Sequence, residues 1–335
     1  MAEKITMAYG SGGKSTDELI DTIFAKQFDN PVLGAMEDAA VVPVTDKIAM
    51  TTDSFVVTPL VFRGGDIGRL CVCGTVNDLL MRGAKPEWMT CGFILEEGLD
   101  IDLLKKLVTS MAATAKEAGI KIVAGDTKVV EGHGGLYINT AGVGTFRGEF
   151  RREAERICAS AAEDSDAILV SGTMGDHHAA ILSERMAIET DIESDNAPLT
   201  DMVENLLKSG LHVHTMRDVT RGGLGTVLKE LAKASGKTFT IRESAVPVSP
   251  KVRSFAGLLG LDPMYMGNEG KMVVILPQEE AQKALEIIRS SRYGSQAAII
   301  GRVSEDKPGE LFMETDIGGL RRLDVLQGEG LPRIC

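Results

Sequence analysis

Ile67-Gly68-Arg69-Leu70-Cys71-Val72-Cys73-Gly74-Thr75-Val76-Asn77-Asp78-Leu79-Leu80-Met81-Arg82 follows Gly64-Gly65-Asp66 and stops at Gly83 and Pro86. An acidic residue ahead of an apolar run suits the helix dipole, and Gly then Pro close a helix, so a helix is predicted over 67–82. Strands are predicted on either side, over 47–52 and 88–95. A helix over 16–28 comes earlier; a helix over 100–118, a short strand over 121–124 and a β-rich run over 136–146 come later. The charged patch 147–156 then reads as a domain boundary. Beyond it the alternation resumes: strand 167–171, helices 177–186, 199–208 and 223–235, strand 272–276, helix 281–290 and strand 297–303. This is an α+β pattern without a short repeat. A chain of 335 residues exceeds what one core serves. The reading is an N-terminal domain over 1–150, a second α+β domain over 151–318, and a flexible Gly-containing tail over 319–335.

Composition narrows the function. Hydrophobic residues make up 44% and charged residues 25%, and Gly, Thr and Asn break the uncharged stretches, so no segment reads as membrane-spanning. The start, Met1-Ala2-Glu3-Lys4, lacks the features of a secretory signal, and a cytoplasmic location is expected. With 36 Lys and Arg against 48 Asp and Glu the net charge is −12, which disfavours nucleic acid as a partner. An anionic substrate would call for a divalent cation. The five cysteines at 71, 73, 91, 158 and 335 form no C-x-x-C and read as free thiols. Cys71 and Cys73 read as small buried hydrophobes.

The placement of Cys335 is different, because a terminal residue has chain on one side only and is a poor packing element. Chemistry on its sulfur is the expectation. The fifteen residues 321–335 extend to roughly 50 Å at most. A series of acidic residues, each read as standing beside a turn, supplies the other half of the chemistry: Glu37-Asp38-Ala39-Ala40, Thr52-Asp53-Ser54, Asn77-Asp78, Gly125-Asp126-Thr127-Lys128 and Arg217-Asp218-Val219-Thr220-Arg221-Gly222-Gly223. Scattered carboxylates with one lysine suit Mg²⁺ and phosphoryl transfer. Gly10-Ser11-Gly12-Gly13-Lys14-Ser15-Thr16 imitates a P-loop but has Ala8 where the first Gly is needed; its amides remain candidates to cover phosphates. Ser171-Gly172-Thr173-Met174-Gly175-Asp176-His177-His178 is read as a strand-to-helix junction open to a ligand. The adjacent imidazoles do not share a helix face, so a two-His metal site is not expected. Asn268-Glu269-Gly270-Lys271 places a carboxylate at a strand mouth.

In chain order these segments, with the terminal Pro332-Arg333-Ile334-Cys335, resemble the hydrogenase maturation protein HypE family over the whole chain. The wider superfamily includes aminoimidazole ribonucleotide synthetase, selenophosphate synthetase and thiamine-monophosphate kinase; the terminal Pro-Arg-Ile-Cys separates HypE from them. The resemblance implies an aminoimidazole ribonucleotide synthetase-like fold. Its N-terminal α/β domain forms a β-barrel across a homodimer, and ATP binds near the domain and subunit junction. It also implies ATP-dependent dehydration of a carbamoyl group on Cys335 to a thiocyanate, the source of cyanide ligands for the iron of [NiFe]-hydrogenases. The carbamoyltransferase HypF would load the thiol, and the HypC–HypD scaffold pair would accept the cyanide. Carried over residue by residue, Asp38, Asp78, Asp126 and Asp218 would hold Mg²⁺. Gly12, Gly13, Asp53, Asn77, Thr127 and Gly175 would contact the nucleotide. Lys128 would neutralise developing charge, and Glu269 would take the amide proton. Arg333 would steer the arm toward an anionic site. Two rivals stand beside this reading: a small-molecule kinase of the same superfamily with an inert tail, and a non-catalytic metal chaperone using Cys335.

Overall fold

The computed structural model describes residues 4–6, 19–30, 47–146, 154 and 156–326. The N-terminal domain is a four-stranded sheet with two helices on one face. Its strands are β1 (Ile48–Phe55), β4 (Lys85–Glu96), β5 (Lys121–Val130) and β6 (Leu136–Thr145), in the order β1-β6-β4-β5; the short β2 (Val61–Phe62) and β3 (Gly65–Asp66) pair with each other. Helix α1 (Ile67–Met81) is capped by Asp66, whose carboxylate accepts from Arg69 N, and α2 (Ile101–Ala118) is capped by Asp100. Helix α1 is buried nearly all round, because it lies between the sheet, α2 and the second domain. Gly68 makes that packing possible: a Cβ there would lie 2.2 Å from the carbonyl O of Leu107 on α2.

The second domain is a seven-stranded sheet in the order β13-β12-β9-β11-β7-β10-β8, built from β7 (Asp166–Val170), β8 (Thr215–Asp218), β9 (Thr238–Arg242), β10 (Met272–Pro277), β11 (Ala298–Ser304), β12 (Leu311–Glu314) and β13 (Leu320–Leu323). Its helices are α3 (Asp176–Arg185), α4 (Thr200–Lys208), α5 (Gly223–Ser235), α6 (Pro250–Leu259) and α7 (Ala281–Ser290). One hydrophobic cluster runs through both domains, from Ile67 and Leu104 to Leu199 and Ile288. Arg69 ties the junction, donating to Glu117 at 2.9 Å, to the Asn196 carbonyl at 3.0 Å and to the Tyr293 hydroxyl at 3.2 Å.

Several sequence expectations are corrected. The strand expected over 47–52 continues to Phe55, and the one expected over 121–124 runs on to Val130, so Gly125-Asp126-Thr127-Lys128 is strand and not turn. Asp53 sits inside β1 and Asp78 inside α1; of the described acidic series only Asp218 stands at an element's end. Residues 320–323, read as tail, pair with β12. The helix over 16–28 has a π-helical stretch, Ile20–Ala25, and its first three residues lie outside the described part. Cys71 and Cys73 are buried free thiols, as read; Cys91, read as a free thiol, is buried too, and burial pushes all three thiols up in pKa.

Candidate active site

A cavity of about 400 Å³ opens where the two domains meet, lined by Thr51, Asp53, Asp78, Asp218, Arg221 and Glu269 among others. Alternation along β1 turns Ala49, Thr51, Asp53 and Phe55 toward α1. Gly74 lets the helix settle there, since a Cβ would come within 2.9 Å of the Phe55 ring and 3.6 Å of Asp53 Oδ2. One turn later Asp78 Oδ2 accepts from Thr51 Oγ1 at 2.7 Å. From the other domain β8 delivers Asp218, opposite Met272 of β10. Glu269 arrives on the loop just before β10.

Burial outweighs the counter-charge that Arg217 and Arg221 offer these four carboxylates. Burial, then the charge of Asp78, pushes Asp218 up to about 6. Asp53 and Asp78 are also raised, chiefly by burial, although Thr51 partly offsets this at Asp78. Glu269 is raised well above the ordinary glutamate value, by burial and then by Asp195, Asp218 and Asp53. Its Oε1 is buried and finds no hydrogen-bond partner among the described residues. Like charges gathered in a desolvated cavity favour a cationic or proton-bearing guest. Among the described residues no three His, Cys, Asp or Glu side chains converge into a ready metal cage. Asp53, Asp78 and Asp218 are hard oxygen donors of the kind Mg²⁺ takes, and one or two of them could hold a Mg²⁺ that brings phosphate oxygens and water as its other ligands.

Each residue of Asn268-Glu269-Gly270-Lys271 has a structural task. Asn268 is fully buried, and its Oδ1 accepts from Gly175 N at 2.7 Å. Gly270 must lack a side chain, because a Cβ would lie 2.0 Å from the carbonyl O of Asp195. Asp195 Oδ1 accepts from Glu269 N at 2.9 Å, while its Oδ2 lies 3.4 Å from Lys271 Nζ. Sequence reasoning missed Asp195, because Glu193-Ser194-Asp195-Asn196 reads as a polar loop. It also passed over Arg217 and Arg221, which were visible beside Asp218 and which line the cavity.

The expected site residues divide into groups. Asp53, Asp78, Asp218 and Glu269 come together. Asn77 lies next to them but is buried; its Nδ2 donates to the carbonyls of Ala197 and Glu269, and its Oδ1 accepts from Leu199 N. It therefore fixes the Glu269 loop. Gly175 gives its N–H to Asn268 and does not line the cavity. Asp126, Thr127 and Lys128 are on the edge strand β5, away from the cavity. The register Asp53↔Thr140↔Cys91↔Gly125 puts Asp126 and Lys128 on the opposite sheet face, with Ile94 and Tyr137. There they pair with each other at 2.6 Å, which lowers the Asp126 carboxyl. Gly12, Gly13, Asp38 and Cys335 lie outside the described residues.

Residues 36–146 match the N-terminal domain of AIR synthase related proteins, and residues 163–314 match the C-terminal domain. The chain is 46% identical to carbamoyl dehydratase HypE of Cupriavidus necator, over 99% of this chain and 95% of that one. It is 43% identical to carbamoyl dehydratase HypE of Escherichia coli, over 99% of each. The chain belongs to the carbamoyl dehydratase HypE family. A crystal structure of hydrogenase maturation protein HypE in complex with ATP superposes with a TM-score of 0.92 at 46% identity, over 98% of this chain and 99% of that one. HypE in a HypE–HypF complex matches with a TM-score of 0.78 at 46% identity, over 92% and 99%. The two-domain fold expected from the HypE resemblance is thus present, and family membership makes the chain an enzyme rather than a metal chaperone. Thiamine-monophosphate kinase of Stenotrophomonas maltophilia, at 20% identity and a TM-score of 0.69, shares the fold.

Proposed function

We propose that the protein uses ATP to dehydrate a carbamoyl group carried on the sulfur of Cys335, giving a thiocyanate that supplies cyanide to the iron of [NiFe]-hydrogenases. The observation that carries this reading is the partnerless, buried carboxyl oxygen of Glu269 in a cavity shared with Asp53, Asp78 and Asp218. An amide oxygen leaves poorly. Its attack on the γ-phosphorus breaks the bond to ADP, one N–H proton leaves to solvent to give the phosphorylated imidate, and the C–O bond can then break with phosphate as leaving group. Loss of the remaining N–H proton to Glu269 completes S–C≡N. Once ionised, a form that Arg221 favours, a carboxylate in so buried a site is a stronger base than an ordinary glutamate, which suits it to that proton. Magnesium, when bound with the nucleotide at Asp53, Asp78 and Asp218, would neutralise phosphate charge.

Lys128 and Asp126 would join such a site from the second copy of a homodimer, whose seam would cover the exposed Met50, Ile94 and Tyr137. We assign the loading step to a HypF-type carbamoyltransferase and cyanide acceptance to a HypC–HypD pair. A reducing cytoplasm suits the free thiols. No described helix is long and apolar enough to cross a membrane. The kinase alternative has the common fold behind it and nothing further.

The test is the intact mass of the C-terminal peptide after incubation with the carbamoyltransferase, carbamoyl phosphate and ATP. It should gain one carbamoyl group and then lose one water, and Glu269→Gln should stop at the carbamoyl stage. A tail whose mass never changes overturns the reading.

A further inference from the structure

Strand β13 forms one edge of the seven-stranded sheet, and β8, which ends at Asp218, forms the other. Six inter-strand spacings separate them, about 29 Å along the sheet. A chain leaving β13 at Leu323 thus starts from the edge remote from the carboxylates. The next three residues turn it back. Tyr265 Oη donates to the carbonyl O of Asp324 at 2.9 Å, Asp324 Oδ1 accepts from Val325 N at 2.8 Å, and Leu326 N donates to Thr226 Oγ1 at 3.1 Å.

Both holding side chains meet at the beginning of α5, Thr226 on the helix itself and Tyr265 on the 3-10 turn Pro263–Tyr265 packed against it. Thr226 is in its first turn. Tyr265 fits against Gly223 and Gly225, where a Cβ would come within 2.8 Å of its backbone and 2.9 Å of its ring. Helix α5 is reached from Asp218 through Val219-Thr220-Arg221-Gly222, and Thr220 and Arg221 line the cavity. A Cβ on Gly222 would touch the Thr226 hydroxyl at 2.7 Å, so the anchoring oxygen adjoins the neighbour of Arg221. Tyr265 also precedes Glu269 by four residues, which keeps their backbones within about 14 Å.

We propose that Tyr265 and Thr226 are positioning residues that root the C-terminal arm at the start of α5, beside the cavity of the same chain. The proposal rests on the reading of Cys335 as the carrier. Nine residues follow Leu326 and span at most about 30 Å. The anchor fixes the three residues 324–326, a path of at most about 11 Å, on the return toward Glu269 and so shortens the free tether from twelve residues to nine. A shorter gap raises the concentration of the loaded sulfur at the cavity without adding any contact to it.

The test compares an attached with a detached substrate. The double variant Tyr265→Phe/Thr226→Val removes both hydrogen bonds and nearly preserves volume. In single turnover of the carbamoyl-loaded full chain, its conversion to thiocyanate should fall on the order of tenfold. In a Cys335→Ser background, an S-carbamoyl peptide of sequence 327–335 supplied from solution should be dehydrated equally fast with and without the two substitutions. Unchanged conversion of the attached arm overturns the anchor. A parallel fall with arm and peptide also overturns it, because the substitutions would then act on the cavity. Absence of dehydration of both arm and peptide by the unsubstituted chain instead rejects the carrier reading beneath it.

Discussion

At the scale of single residues, the cavity is a place where the fold works against its own stability. Asp218 ionises near 6 in the folded chain against about 3.9 when unfolded, because burial and Asp78 disfavour its charge. A carboxyl raised in this way favours the folded state below its unfolded pKa, and that advantage is lost as pH rises through the folded value. Asp218→Asn removes the titration. The variant should therefore be more stable than the parent at pH 8 without ligand, by on the order of 3 kcal/mol, and show little gain at pH 4. Urea unfolding at the two pH values measures this; an equal change at both would show that Asp218 acts through packing. The same variant should lose nucleotide-dependent activity, the exchange of stability for function common at charged sites. Asn77 gives a different lesson. It was legible as a motif member, yet its amide is spent on the backbones of Ala197, Leu199 and Glu269, so its part in the site is to place another residue.

At the scale of elements, α1 connects sequence to site most directly. Its limits were legible within one residue, because Asp66, Gly83 and an apolar body are local signals that do not depend on the remaining chain. Gly68→Ala should show how far packing outweighs propensity. Helix propensity alone would favour alanine by about 1 kcal/mol, but the new methyl would meet the Leu107 carbonyl at 2.2 Å. We expect a net loss of about 1–3 kcal/mol in chemical unfolding; a stabilised variant would mean that α2 moves aside freely. Strand ends were less legible. β5 looked finished at Ala124, because Gly125 and Asp126 normally punctuate turns, whereas pairing with β4 from Cys91 to Glu96 carries it on to Val130. β8, β9, β12 and β13 span only four or five residues each, too few to show a local period, and the partners of β8 and β9 lie far away in sequence. The anchor at Asp324–Leu326 was hidden for the same reason: Thr226 is 100 positions from Leu326.

At the scale of the whole molecule, the two-domain plan follows from size and from the charged connector, but the closeness of the domains does not. A shared core and the Arg69 cluster join them, and the cavity lies across that join, so residues from β1, α1, β8 and the Glu269 loop face one another. The opposed placement of Lys128 and Glu269 across the four-stranded sheet sets a further condition. No side-chain rotation carries a lysine through a sheet, so under the proposed function, with Lys128 acting in the cavity of a second copy, a lone folded chain would turn nucleotide over poorly however sound its own cavity. Catalytic output per chain should therefore fall on dilution below the self-association constant and recover on reconcentration, with sedimentation tracing the same midpoint. Mixing a Lys128→Ala chain with a Glu269→Gln chain, each inert alone, should restore up to about a quarter of the parental rate through the one intact site of each hybrid pair, if pairing is random and closed by twofold symmetry.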